Sequence, residues 1–244
     1  MTTVFPGAAP STHCAAAAPA PRPSPPRYVG EGGRPLPGVT SILRDLGYGG
    51  DLSWVAPERL AELGERGQRV HSVSPFLVEW AHRPPISGGG LPLAPKAVED
   101  FPFAEAMRDW MIALGIERIA DALTELVVGA DGPRPWRGRL DLLLPGRGDR
   151  DGPTVVDYKL RPPHPDDGVQ LAAYVAGARL ARPELFEGRR APKRQVVELR
   201  ETGKYRVRSF DAIAAQCDLE WRRALAAWWE RYGADGQYQP RGGA

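Results

Sequence analysis

Asp157 and Lys159 flank a single tyrosine in residues 154–160, TVVDYKL, and Asp141 precedes them in residues 138–144, GRLDLLL. Read at the two-residue period of a strand, Val155, Asp157 and Lys159 fall on one face and Val156, Tyr158 and Leu160 on the other, so an acid and a lysine share a face. A lone carboxylate or ammonium on the inward face of a strand is costly, and these charges call for compensation. The stretch between the two segments, PGRGDRDGP, is dense in turn formers and joins them as a hairpin. That pairing brings Asp141 near Asp157. Two carboxylates at close range invite a divalent cation, and oxygen ligands on a partly open site suit Mg2+ or Mn2+, one or two ions.

Two further pairs stand at helical spacing. His71 follows Gly67 by four positions, which puts both on one helical face, and the small glycine is expected to let another backbone approach beside the histidine. The histidine is then a metal ligand or a contact to a substrate phosphate, or else a hydrogen-bonded core residue. Gln170 and Tyr174 likewise share a face, and Ala172, Ala173 and Ala176 give that helix a thin profile. The plain alternative is one surface glutamine and one core tyrosine.

In order, Gly67-x-x-x-His71, Gly138-x-x-Asp141, Asp157-x-Lys159 and Gln170-x-x-x-Tyr174 resemble the PD-(D/E)XK nuclease superfamily, in particular its RecB-like and phage exonuclease branch. The opening RYVGEGGRPLPGVTSIL resembles that of phage-encoded members. The resemblance implies a central mixed β-sheet flanked by helices, the restriction-endonuclease-like core, and a divalent-metal-dependent nuclease. Asp141 and Asp157 would bind metal, with the Tyr158 carbonyl and either His71 or Glu125 completing the set. Glu125 enters because such exonucleases often carry an acid in the strand before G-x-x-D; its alternative is an exposed strand carboxylate. Lys159 would steady the attacking water or the charge on the phosphate, with Gln170 and Tyr174 orienting it. The implied partners are DNA, with RNA not excluded, and a recombination or replication protein. A non-catalytic nucleic-acid-binding or assembly module on the same fold is the alternative.

The rest of the chain must position these residues. Residues 1–27 are rich in Ala and Pro and are expected to be a disordered leader, with His13 and Cys14 incidental in it; residues 28–234 are read as one domain and 235–244 as a flexible tail. A hairpin turning at Glu31-Gly32-Gly33 leads to a helix capped by Thr40 or Ser41. A helix opening at Pro57 carries Leu60, Leu63, Val70 and Val73 on one stripe and is kinked or ended by Pro75. His82 belongs to a loop, and residues 83–97 form a Pro/Gly-rich connector. A helix is expected from Val98 to Leu123, with a core stripe of Phe103, Met107, Trp110, Met111 and Leu114. The strand TELVV follows. Trp136 is either a stacking platform for a base or a buried hairpin aromatic. Asp166 and Asp167 open the Gln170 helix as ordinary dipole partners. Two strands around Thr202-Gly203 and a Trp-rich helix to Tyr232 complete the fold, and the helix is expected to cover the sheet.

Composition sets limits. The 244 residues are 42% hydrophobic, ample for a core, and the net charge of +2 requires any basic surface to be local. Of 32 basic residues only Lys96, Lys159, Lys193 and Lys204 are lysines, which makes Lys159 in an apolar strand more notable. Cys14 and Cys217 are too few for a disulfide framework or an iron–sulfur cluster. With no membrane-length apolar run, a cytoplasmic location is expected, the host cytoplasm for a phage-encoded chain. No P-loop motif is present.

Overall fold

The structure is a computed structural model that describes residues 28–30, 33, 35–49, 55–81, 98–148 and 150–233. The leader with His13 and Cys14, the turn residues Glu31 and Gly32, residues 51–54, His82, the connector with Lys96 and the tail at 235–244 lie outside the described residues.

A short antiparallel ribbon pairs β1 (Tyr28–Val29) with β2 (Pro35–Leu36). Next, α1 (Val39–Asp45) buries Val39, Ile42 and Leu43, which share a face at helical spacing. It starts at Gly38 with no side-chain cap, so Thr40 and Ser41 lie inside the helix instead of capping it. The helix expected from Pro57 is two: α2 (Pro57–His71) and α3 (Val73–Ala81) part at Ser72, ahead of Pro75. Pro75 thereby falls in the first turn of α3, where its missing N–H leaves no intrahelical bond unmade. Of the expected stripe only Val70 and Val73 are buried, and Leu63 is exposed. α4 (Phe101–Leu114) buries Phe103, Met107, Trp110 and Met111 as its spacing predicts. It does not run on to Leu123. Gly115, at φ +94, ends it in a conformation that L side chains rarely adopt; α5 (Ile116–Ala120) follows, and strand begins at Leu123.

β3 (Leu123–Ala130), β4 (Trp136–Leu144), β5 (Thr154–Lys159), β6 (Lys193–Leu199) and β7 (Tyr205–Ser209) form one five-stranded sheet in that order. All neighbours are antiparallel except β5 and β6, whose parallel pairing needs a crossover, supplied by α6 (Asp167–Ala181). One face packs on α1, α6 and α7 (Ala214–Tyr232), the other on α3, α4, α5 and the end of α2. This is a mixed α/β fold with a central mixed sheet flanked by helices. α7 lies mainly on α6 and α1, and its Trp221 meets Trp136 edge-on at 5.1 Å. Trp136 is therefore a core residue rather than a stacking surface, and Cys217 is buried in the same cluster.

In β5 the two-residue period holds, with Val155 packed toward α6 and Val156 and Tyr158 toward α4. β3 and β4 change face partway. Leu126 and Val128 lie with the α6 cluster but so does Leu123; Leu140 and Leu143 both belong there, while Leu142 and Leu144 join the α4 cluster. The register explains this: Thr124 pairs Leu142 and Leu126 pairs Leu140, leaving Glu125 and Asp141 opposite one another and outside the ladder. Glu125 takes φ +53, in the left-handed region that costs a side-chain-bearing residue free energy. A seam thus crosses two strands at two acidic residues.

Candidate active site

On the α6 face, Lys159 Nζ lies 2.7 Å from Asp157 Oδ2 and donates to Gln170 Oε1 at 3.0 Å. Gln170 in turn donates through Nε2 to Asp157 Oδ1 at 3.2 Å and to the Tyr174 hydroxyl at 2.9 Å. The glutamine amide is oriented by this set, with its oxygen toward the ammonium and its nitrogen toward the carboxylate. Asp157 and Gln170 are buried, and Lys159 is partly so. Asp157 Oδ2 is itself buried, and the ammonium is its partner. The glycine of GRLD has a packing reason: a Cβ at Gly138 would sit 2.8 Å from Val39 Cγ2 and 3.0 Å from Tyr174 Cε1, so only glycine lets α1 and α6 come this close.

Asp141 stands at the seam. Its Oδ2 accepts the Tyr158 amide at 2.8 Å, so a side chain continues the β4–β5 pairing just beyond Leu142 and Val156. Its Oδ1 lies 3.1 Å from His71 Nδ1, and the His71 ring meets the Tyr158 ring at 6.0 Å. Glu125 is ion-paired to Arg139 Nε at 2.7 Å. His71, Glu125 and Asp141 each offer a ligand atom, and these atoms lie within 4.8 Å of one another. His71 and Glu125 border an open pocket of about 570 Å³ lined also by Glu65, Gln68, Arg69, Ser72 and Arg139.

Charge is distributed unevenly here. Burial raises the Asp157 carboxyl; Lys159 pulls it down and Asp141 pushes it up, leaving it at about 6. Burial would also raise Asp141, but the His71 charge and contact, the Tyr158 amide and Lys159 outweigh it, and its pKa is lowered. His71 is raised, since Asp141 and Asp157 overcome the burial that alone would lower it. Lys159 is raised too, burial being outweighed by Asp157 and Asp167. Two carboxylates with separated affinities for protons therefore sit side by side, one firmly ionised and one poised near neutrality.

Asp157, Lys159, Gln170 and Tyr174 gather in one hydrogen-bonded set, and His71, Glu125 and Asp141 in another, and one expectation about their surroundings fails. A Cβ at Gly67 would meet nothing within 4 Å, so Gly67 does not admit a neighbouring backbone beside His71; what packs opposite a helical face is a tertiary matter. Asp167 does more than face a helix dipole. It is buried, receives both terminal nitrogens of Arg161 at 2.6 and 3.1 Å, and accepts the His164 amide at 2.7 Å, which fastens the exit of β5 to the start of α6. Asp166 accepts the Gly49 amide at 2.6 Å. Arg139, within GRLD, carries no mark in the sequence because its partner, Glu125, comes from the opposite strand.

The donor set fits a hard divalent cation. His71, Glu125 and Asp141 bring two carboxylates and an imidazole together, while Asp157 stands outside that converging set with its Oδ2 paired to the Lys159 ammonium. Among the described residues, no helix is long and apolar enough to cross a membrane. Compared with known protein families and with curated proteins, the chain matches none.

Proposed function

We propose that this protein is a divalent-metal-dependent nuclease with a restriction-endonuclease-like core, of the PD-(D/E)XK type, that hydrolyses phosphodiesters in DNA as an exonuclease. The observation that carries the reading is the buried circuit of Asp157, Lys159, Gln170 and Tyr174 next to Asp141. A buried charged strand that serves only packing would be poor design, since apolar residues of similar volume are commonly as stable or more so.

Asp141, Asp157 and Glu125, with His71 and the Tyr158 carbonyl, are the residues that would hold Mg2+ or Mn2+. A cation bound there polarises a phosphate and lowers the pKa of a bound water. The protein's own groups do the rest. Lys159, kept charged by Asp157 and Asp167, presents an ammonium to the attacking water or to the charge that grows on the phosphate. Gln170 and Tyr174 hold that lysine against drift, and α6 holds them through close packing. The open pocket beside His71 gives a strand of DNA access from the α2 side. The restriction of cleavage to chain ends, a role in recombination, repair or phage DNA processing, a recombination or replication partner and a cytoplasmic site of action rest on the family resemblance.

The test is cleavage of end-labelled linear DNA, closed circular DNA and an RNA control with Mg2+, Mn2+ or chelator. Metal-dependent loss of the linear DNA, absent in Asp157→Ala and Lys159→Ala, is expected. Nicking of the circle would make it an endonuclease. Variants as active as the wild type would end the assignment, and no cleavage of any substrate would leave a nucleic-acid-binding module.

A further inference from the structure

Arg139 stands on β4 shortly before Asp141, on the wall of the open pocket, with its Nε 2.7 Å from Glu125 Oε2. The same Glu125 carboxylate belongs to the converging set with His71 and Asp141. One carboxylate is thus offered to two kinds of cation. While it neutralises the guanidinium, Arg139 shows little net charge to a phosphate, and Glu125 is a poorer ligand for a metal ion. Both side chains are partly solvent-exposed, at 39% and 25%, so an exchange of partners needs only side-chain motion. The Glu125 backbone, outside the ladder and at φ +53, keeps the carboxylate beside Asp141 meanwhile. The other arginine of the pocket, Arg69, is engaged by Asp100 at 2.6 and 3.3 Å and by Glu99, away from the converging set.

We propose that Glu125 and Arg139 form an exchange switch. Without metal, Glu125 masks Arg139; when Glu125 turns to a divalent cation beside Asp141 and His71, Arg139 is released to bind a backbone phosphate of a DNA strand in the pocket. The proposal rests on the nuclease reading above and adds to it how metal loading raises affinity for substrate. Cation and DNA then bind cooperatively, each tightening the other by the same factor. The expected factor is about tenfold, the scale of one charge-assisted hydrogen bond.

The test is fluorescence anisotropy of a labelled DNA oligonucleotide, in chelator and with Ca2+ in place of Mg2+, with gels confirming that the DNA stays intact. Wild type should bind about tenfold tighter with Ca2+ than in chelator. Glu125→Gln should already show that gain in chelator, with the salt dependence of its binding steeper by about one phosphate contact. Arg139→Ala should lose the Ca2+ gain, and the double variant should behave as Arg139→Ala. Glu65→Gln, which removes a charge from the same pocket but not from Arg139, should change affinity less than about twofold. No gain in Glu125→Gln, a gain that survives in the double variant, or an equal gain in Glu65→Gln would overturn the switch. Mg2+-dependent cleavage and Ca2+ calorimetry on wild type separate the two levels. Cleavage without a gain in Glu125→Gln defeats the switch alone, whereas neither cleavage nor Ca2+ binding defeats the nuclease reading and the switch together.

Discussion

Raising the pH from about 5 to about 8 should destabilise the metal-free protein, and Mg2+ should restore what is lost. Asp157 has a folded-state pKa of about 6, against 3.8 for a free carboxyl, burial being the main cause. Because the folded value lies above the unfolded one, the stabilising proton is fully in place below 3.8 and is lost as pH rises through about 6. The gap between 3.8 and about 6, at 1.36 kcal/mol per pH unit, is about 3 kcal/mol. About half of that is already lost by pH 5, so the fall from pH 5 to pH 8 is about 1.4 kcal/mol, roughly 3–6 °C in Tm for a chain of this size. His71, also raised, contributes below 6.5 and loses its share as pH climbs through its own folded value, which prolongs the decline. Asp141 acts in the opposite sense and outside this window: its depressed pKa gives a contribution present above 3.8 and lost only as pH falls through its folded value. Mg2+ at a hundred times its Kd should return about 2.7 kcal/mol, and near pH 5.5 its binding should release the Asp157 proton. Thermal melts in chelator and in Mg2+ across this range, with Asp157→Asn alongside, measure all of this. The variant should lose the step near pH 6 and keep only the His71 part. A wild-type Tm that is flat or rising through pH 6 in chelator, or a step that persists in Asp157→Asn, would refute the reasoning.

Three other perturbations act through packing and hydrogen bonds. Gln170→Ala removes the group joining Lys159, Asp157 and Tyr174; urea denaturation should show a loss of about 1–3 kcal/mol, and cleavage assays a fall in kcat larger than any change in KM. Gly138→Ala forces a Cβ against Val39 and the Tyr174 ring; a cost of about 1–3 kcal/mol and reduced cleavage are expected, with Tyr174→Phe failing to relieve it because the clash is with the ring carbons. Arg161→Ala leaves buried Asp167 without its guanidinium partner. Since Arg161 is itself about half exposed at 48%, a loss of roughly 1–3 kcal/mol is expected, below the 3–5 typical of a wholly buried pair.

The sequence made the β5 strand legible because its alternation is unbroken and both faces are covered, so Asp157 and Lys159 landed where the period puts them. α6 was equally clear, with Gln170 and Tyr174 four apart on a helix thin enough to be buried nearly all round. The seam was not. A left-handed glutamate has no compositional mark, and Leu140, Asp141 and Leu142 read as ordinary alternation although the face changes there. The break after Leu114 was hidden for a related reason: apolar spacing carries across Gly115, while the chain direction does not. The role of Asp167 is equally hidden, because an acid at a helix start already has a local explanation, and its partner Arg161 is visible only once β5 has an exit.

The seam also bears on how the protein folds. His71 reaches Asp141 from the layer of α2 to α5, and Lys159 and Gln170 gather on the side of α6 and α7. Neither layer holds the full set of charges, so the site comes into being only when both are docked on a finished sheet. Activity is thereby a logical conjunction of two assemblies. A nascent chain that has placed α2 to α5 but not yet α6 would carry a histidine–aspartate pair without its lysine circuit, and under the proposed nuclease function would pass through synthesis without the means to cut the nucleic acid around it.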